Sequence, residues 1–135
     1  MKELTVKADD KNLEQVLAFI DEILEAHDCP PKTQMQIDVA VEELFVNIAH
    51  YAYSPDTGPA TLRVETQKEP LSVIITFIDG GTPYNPLAKP DPDVTLSAEE
   101  RGVGGLGIYI VKKSMDNVLY EYKDGKNILT IIKKI

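Results

Sequence analysis

The chain has 135 residues, and its 14 Lys or Arg against 22 Asp or Glu give a formal net charge of −8, which argues against direct nucleic-acid binding. With 43% hydrophobic residues, this length predicts one soluble domain whose core needs no metal or disulfide. A single cysteine, Cys29, and the absence of any long apolar block argue against a secreted or membrane-spanning protein and predict a cytoplasmic one with no membrane partner.

The elements predicted along the chain begin with a short strand at Leu4 and Val6. Two amphipathic helices follow, because apolar residues recur every three or four positions. The first helix contains Leu13, Val16, Leu17, Ile20 and Leu24, and the second, with Pro31 in its first turn, contains Ile37, Val41, Leu44 and Ile48. Asp9 or Asp10 is the candidate cap of the first helix.

Two strands are predicted next, around Leu62 to Gln67 and Leu71 to Ile78, the second rich in Val, Ile and Phe. Near the end, strands from Val118 to Lys123 and from Asn127 to Lys133 flank a short Asp-Gly-Lys link, which is a hairpin signal. Residues Gly105 to Ser114 indicate a short helix before that hairpin. This order predicts an α+β fold, a two-layer α/β sandwich in which helices cover one face of a mixed, mainly antiparallel sheet.

The segment from Gly80 to Arg101 interrupts this pattern, because it holds four prolines and no usable periodicity. A structureless segment of this length inside a compact domain is usually a lid, a binding loop or disordered. Three clusters of residues before, within and after this segment carry the candidate chemistry.

The first cluster lies on the second helix, where 100° per residue places Glu43, Asn47 and His50 on one strip beside the core stripe. The Asn47 oxygen is a hard ligand suited to Mg²⁺, and the Glu43 carboxylate can accept a proton from an attacking hydroxyl. The alternative is a solvated polar flank with no role, in which His50 only packs or hydrogen-bonds.

The second cluster, Asp79 to Pro86, directly follows the most apolar strand. A carboxylate at a buried strand end needs a hydrogen-bond donor, and a purine amino group is one such donor. Gly81 would let a flat ring approach the backbone closely. The alternative is an Asp-Gly turn that only ends the strand.

The third cluster, Arg101 to Gly107, holds four glycines that open a helix and expose backbone N–H groups at its positive end, a natural anion site. It contains the spacing G-x-G-x-x-G, but a Pro-rich loop precedes it and a hairpin follows. A dinucleotide-binding oxidoreductase needs a preceding strand and a βαβ unit, so that class is set aside. The alternative is a flexible hinge.

Together and in this order, the three clusters resemble the histidine-kinase-like (GHKL, Bergerat) ATPase superfamily, and within it the branch of anti-sigma-factor serine/threonine kinases. The matching strings are Glu42 to Asn47 with its E-x-x-x-N spacing, Asp79 to Pro86 as D-x-G-x-P-x-N-P, and Gly104 to Lys113 as G-G-L-G-I-Y-I-V-K-K. The likeness covers nearly the whole chain. It implies one ATPase domain over residues 1–135, with an ATP lid at about residues 83–103.

The resemblance also implies roles for single residues. It assigns Asn47 to Mg²⁺ and ATP, Glu43 to the general base, and Asp79 with Gly81 to adenine. By the same resemblance, Arg101 corresponds to a lid arginine near the γ-phosphate, and Thr130 to a threonine beside the adenine. The phosphate loop corresponds to Gly104, Gly105, Leu106 and Gly107. The chain departs from many superfamily members by carrying Pro83 where they have glycine.

The implied function is that of an ATP- and Mg²⁺-dependent regulator of transcription. It would phosphorylate a serine or threonine of a small anti-sigma-factor antagonist and bind a sigma factor, and the likeness also implies a homodimer. The alternative is an ATP-dependent protein-binding switch module with little or no kinase activity. A two-component histidine kinase is disfavoured, because neither His27 nor His50 lies on an additional helical hairpin.

Overall fold

The secondary structure follows the predicted order in a computed structural model that describes residues 1–88 and 106–135. The strands are β1 (Lys2–Lys7), β2 (Pro59–Gln67), β3 (Ser72–Asp79), β4 (Asn117–Lys123) and β5 (Lys126–Lys134). The helices are α1 (Leu13–Ala26), α2 (Pro31–Asn47) and α3 (Leu106–Ser114), with 3₁₀ turns at Asp10–Asn12 and Pro86–Ala88 and a π turn at Ile48–Ala52. No helix in this part of the chain is long and apolar enough to cross a bilayer.

The five strands form one sheet in the order β1-β2-β3-β5-β4. Every strand pair within the described ranges is antiparallel, so the expected mixed sheet is in fact wholly antiparallel. The two-layer α+β prediction is confirmed. In the sheet register Asp79 stands opposite Ala60 on β2 and opposite Asn127 on β5, so Asp79 lies between the ends of two neighbouring strands.

The core lies between the helices and one face of the sheet. Side chains alternate along β3, so Val73, Ile75 and Phe77 are buried against the helices. On α2, Ile37, Val41 and Leu44 are buried as predicted, while Ile48 is only partly buried. The core stripe therefore runs the length of α2 and ends where the π turn begins.

Local signals fixed the ends of several elements. Pro31 is the first residue of α2, where its missing N–H removes no helical hydrogen bond. Asp9 caps the short 3₁₀ turn before α1 by accepting a hydrogen bond from the Lys11 N–H at 3.0 Å. The β4–β5 hairpin turns through Asp124 (φ 53°) and Gly125 (φ 76°), the two left-handed positions of a tight primed turn.

A pair of acidic side chains lies where α1 packs on α2. Asp38 on α2 lies within electrostatic range of Asp21 on α1, and Gln34 donates to Asp21 Oδ1 at 3.1 Å. The Oδ1 atom of Asp38 is buried with no partner among the described residues. Burial, followed by the contact with Asp21 and the charge of Glu25, raises the pKa of Asp38 to about 7.

Stability should therefore fall as pH rises toward 8. The folded-state pKa of Asp38 lies above its ordinary value of 3.8, so the native state binds more protons than the unfolded chain between roughly pH 4 and 7. The stabilisation is fully present below that window and is lost as pH passes the folded-state pKa. Asp38→Asn, which cannot ionise and can donate to Asp21, should raise the melting temperature at pH 8 by about 2–5 °C and little at pH 5.

Thermal unfolding at the two pH values measures this effect. Asp56→Asn is the control, because it removes an exposed carboxylate from the loop before β2. If the melting temperature of Asp38→Asn depends on pH as it does in the wild type, the assignment of this dependence to Asp38 is contradicted.

Candidate functional site

A cavity of about 500 Å³ opens between the C-terminal end of α2 and the adjoining ends of β3 and β5. Leu44, Ile48, Phe77 and Leu129 supply apolar walls, and the polar groups that face it include Asn47, Asp79 and Asn127. Tyr51, Tyr84 and Tyr120 add aromatic surface. An apolar cavity of this size with a few converging polar groups is typical of a site for a small organic ligand.

Asp79 is the buried carboxylate of this cavity, only 7% exposed. Its Oδ1 atom accepts two hydrogen bonds, from the Gly81 N–H at 2.9 Å and from Asn127 Nδ2 at 2.9 Å. These donors stabilise a charge that would otherwise be costly to bury. Since both bonds reach the same oxygen, Oδ2 has no partner in the described part of the chain and is left to accept from a ligand.

Asn127 holds the loop that follows β3, and sequence reasoning missed it. Its Nδ2 also donates to the Thr82 carbonyl at 3.0 Å, and its Oδ1 accepts from the Tyr84 N–H at 3.1 Å and from the Tyr120 hydroxyl. The available signal was its place in the hairpin, where a polar residue occupies an inward-facing position of a strand.

Gly81 is required by its contact with the preceding helix. A Cβ on this residue would collide with the carbonyl oxygen of Ala52, the last residue of the π turn. The next residue, Thr82, donates its N–H to the same oxygen at 2.8 Å. The glycine therefore lets residues 80–82 pack directly on the end of the π turn, beside Asp79.

Helix α2 carries Asn47 and Glu43 to two different surroundings. Asn47 lines the cavity and is partly buried. Glu43, one turn earlier, lies against Gly107 in the first turn of α3, where an added Cβ would collide with the Glu43 carboxylate. The two side chains are about 6 Å apart along the helix axis. Asp79 and Asn47 thus both face the cavity, whereas the contact between Glu43 and α3 lies outside the described residues that line it.

Thr130 does not reach the cavity, and its predicted placement is corrected. Leu129 and Ile131 are buried in the core, so strand alternation turns Thr130 to the opposite face of the sheet. There its hydroxyl lies 3.3 Å from that of Thr76. The polar residue of β5 that does face the cavity is Asn127, beside Leu129.

His50 leaves the strip predicted for it. The π turn starts at Ile48, and its i→i+5 hydrogen bonds break the 100° spacing that joined His50 to Asn47. Its Nε2 instead pairs with Asp10 Oδ2 at 2.7 Å in an exposed contact.

Arg101, Gly104 and Gly105 lie outside the described residues, as does most of the expected lid. Leu106 begins α3. In the described ranges no group of three or more His, Cys, Asp or Glu could hold a metal ion.

Comparison with known proteins places this geometry in a family. The family model described as a histidine kinase-like ATPase domain matches residues 6–133. The serine/threonine-protein kinase BtrW of Bordetella bronchiseptica is 24% identical over 100 residues, which cover 74% of this chain and 70% of that protein. The serine-protein kinase RsbW of Bacillus mycoides is 26% identical over 95 residues, which cover 67% of this chain but only 58% of that protein.

A solved structure shows the same fold. A chain from the crystal structure of the SiaB–SiaC complex of Pseudomonas aeruginosa superposes with a TM-score of 0.64 at 16% sequence identity. The match covers 98% of this chain and 89% of that one. At this identity the likeness concerns the arrangement of helices and strands.

Asn127→Ala should weaken ligand binding in the cavity far more than a change at Thr130. The alanine removes a donor to Asp79 and an acceptor for two further groups, and each polar group left unpaired costs about 1–3 kcal/mol. We expect the affinity for ATP, measured by calorimetry, to fall at least ~10-fold.

Thr130→Val is the matched change, because it removes a hydroxyl from the same strand on the opposite face. Equal losses of ATP affinity in the two variants would contradict the placement of Asn127 at the site.

Proposed function

The chain belongs to the histidine kinase-like ATPase domain family, and on this basis we propose that it is an ATP-binding anti-sigma regulatory factor. In this proposal it phosphorylates a serine or threonine of a small anti-sigma-factor antagonist and binds a sigma factor. The observation that carries the proposal is the cavity itself, in which Asp79 offers a free acceptor and Asn47 stands one helical turn from Glu43, which lies against the first turn of α3.

The part of the cavity beside Asp79 fits adenine. The free Oδ2 of Asp79 can accept a hydrogen bond from the exocyclic amino group of the base, while Oδ1 is already occupied by Gly81 and Asn127. Guanine presents a carbonyl oxygen at that position, so two acceptors would face each other. Phe77 and Leu129 supply an apolar surface for the ring.

The region that leads from Asn47 to the start of α3 fits the phosphates. From Asn47 back to Glu43 the helix α2 covers about 6 Å along its axis, which leads from the base toward Gly107 at the start of α3. The first N–H groups of a helix favour anions. We therefore assign Gly104, Gly105, Leu106 and Gly107 to the phosphates, and Arg101 to the γ-phosphate within a lid at about residues 83–103 of a single domain.

Mg²⁺ would be held by Asn47 together with the nucleotide. The Asn47 side-chain oxygen is a hard donor, and Mg²⁺ in nucleotide sites typically takes only one or two protein ligands beside phosphate oxygens. The absence of a cluster of three acidic, His or Cys side chains in the described residues agrees with a metal that enters with ATP. Bound there, Mg²⁺ would neutralise charge on the phosphates.

In the proposed transfer step, Glu43 takes the proton. The partner's hydroxyl oxygen forms a bond to the γ-phosphorus as the bond from that phosphorus to ADP breaks, and the hydroxyl proton passes to the Glu43 carboxylate. Gly107 keeps the space in which this carboxylate meets the first turn of α3. A larger residue at Gly107 would push the base away from the phosphates.

The proposed activity is supported by the names of two relatives, and the partners are part of the same proposal. BtrW and RsbW are named as serine/threonine and serine protein kinases, and we extend this activity to the chain, with the antagonist as substrate, the sigma factor as second partner, and a homodimer as the working form. The cytoplasm and transcription regulation belong to the same proposal.

Base recognition should depend on Asp79. In Asp79→Asn the remaining oxygen keeps the donors Gly81 and Asn127, so the new amide nitrogen faces the adenine amino group. Two donors then oppose each other, and ATP affinity should fall at least ~10-fold while the ATP-over-GTP preference narrows.

Calorimetry with both nucleotides measures these two effects. Glu65→Gln, on the solvent face of β2, is the control. Unchanged ATP affinity in a folded Asp79→Asn protein would exclude the adenine assignment.

Binding and catalysis should separate between Glu43 and Asn47. Glu43→Gln keeps size and polarity but cannot accept the proton, so nucleotide affinity should stay within about threefold while phosphotransfer slows ~10²–10⁴-fold. Asn47→Ala should lose Mg²⁺-dependent nucleotide binding and transfer together. Glu42→Gln, the exposed neighbour on α2, should change neither.

The measurements are nucleotide affinity and the rate at which labelled phosphate appears on a serine of candidate antagonist proteins. Equal transfer rates in wild type and Glu43→Gln would rule out Glu43 as the base. If the wild-type protein binds its partner only in the presence of ATP and never transfers phosphate, the kinase proposal is wrong and the switch-module alternative is supported.

A further inference from the structure

Tyr53 joins two backbone segments beside the cavity through its hydroxyl group. The hydroxyl donates to the Pro59 carbonyl at 2.6 Å and accepts from the Gly80 N–H at 2.7 Å. Pro59 begins β2, and Gly80 directly follows Asp79 at the end of β3. One phenol thus holds the residue next to the proposed adenine-reading carboxylate.

The ring of Tyr53 is fixed as firmly as its hydroxyl. A Cβ on Gly58 would overlap the ring, so the two residues are in tight contact. Burial, and to a lesser degree the charge of Asp79, raises the pKa of Tyr53 above its usual 10. The hydroxyl therefore keeps its proton at neutral pH and keeps donating to Pro59, which aims its lone pair at Gly80.

A second bond ties the same turn to the same segment. Ala52 ends the π turn, and its carbonyl accepts the Thr82 N–H at 2.8 Å. Residues 80–82 are therefore held by two consecutive residues, Ala52 and Tyr53, which follow Asn47 along the chain by only five and six positions. The wider π turn is what brings both groups to this side, and such turns recur at functional sites.

We infer that Tyr53 is a positioning residue for nucleotide binding: it fixes the turn carrying Asp79 at a set distance from the Asn47 end of α2. The inference rests on the proposed nucleotide site. Without the phenol, Gly80 loses its partner, and the turn keeps only its bonds to Ala52, Asp79 and Asn127. The carboxylate then samples positions that fit the base less well when Mg²⁺ and phosphates are anchored at Asn47.

The test is Tyr53→Phe, which keeps the ring against Gly58 and removes only the hydroxyl. Calorimetric ATP affinity should fall about 5–20-fold, and the ATP-over-GTP preference should narrow because the base-reading turn is what moves. In a transfer assay KM for ATP should rise by a similar factor while kcat at saturating ATP stays within about twofold. Tyr122→Phe, which removes a hydroxyl with no partner among the described residues, should leave all these values unchanged.

A merely structural role gives a different result, namely a lower melting temperature with unchanged ATP affinity, KM and base preference, and that result overturns the inference. Amide hydrogen exchange in the wild-type protein adds a check that needs no variant. Gly80 is exposed, so slow exchange of its N–H supports the bond to Tyr53, and exchange at the unprotected rate overturns it. A wild-type protein that binds no ATP removes the proposed function and this inference together, whereas equal binding by wild type and Tyr53→Phe removes the inference alone.

Discussion

The hydrogen bond between Asn127 Nδ2 and Asp79 Oδ1 joins the ends of β5 and β3 beside the cavity, and the rest of the site is arranged around it. A carboxylate at the apolar end of a sheet is stable only where donors meet it. The amide group meets that need and, through its remaining atoms, also holds Thr82 and Tyr84. One oxygen of Asp79 is thereby occupied and the other is left for a ligand, so the same bond would serve base recognition in the function that we propose.

The sequence predicted the fold well because each element carries its own period. Apolar spacing marked α1 and α2, β-branched runs marked the central strands, and the Asp-Gly signal marked the hairpin. Glu43, Asn47 and Asp79 could be chosen as candidate site residues from the sequence for a similar reason, since their motifs are local. The prediction of a mixed, mainly antiparallel sheet was wrong only in its parallel part, since all strand pairs in the described ranges are antiparallel.

Residues whose roles depend on contacts between distant segments escaped prediction. Thr130 and Asn127 lie on one strand, yet only the register decides which of the two faces the helices. His50 lies in a π turn and Tyr53 directly follows it, and no helical period reveals such a turn because it is a departure from that period. The raised pKa of Asp38 likewise depends on burial between the helices and on α1 bringing Asp21 near α2.

The two-residue turn of the β4–β5 hairpin has a consequence for how this protein can change over evolution. Hairpin tips ordinarily tolerate insertions and deletions. Here the residue that secures Asp79 stands only two positions after Gly125, so gaining or losing one residue between them would point an isoleucine or a lysine into the cavity and turn the amide toward solvent. Selection should therefore remove insertions and deletions at this exposed turn. Substitutions that are compatible with its left-handed backbone should be tolerated.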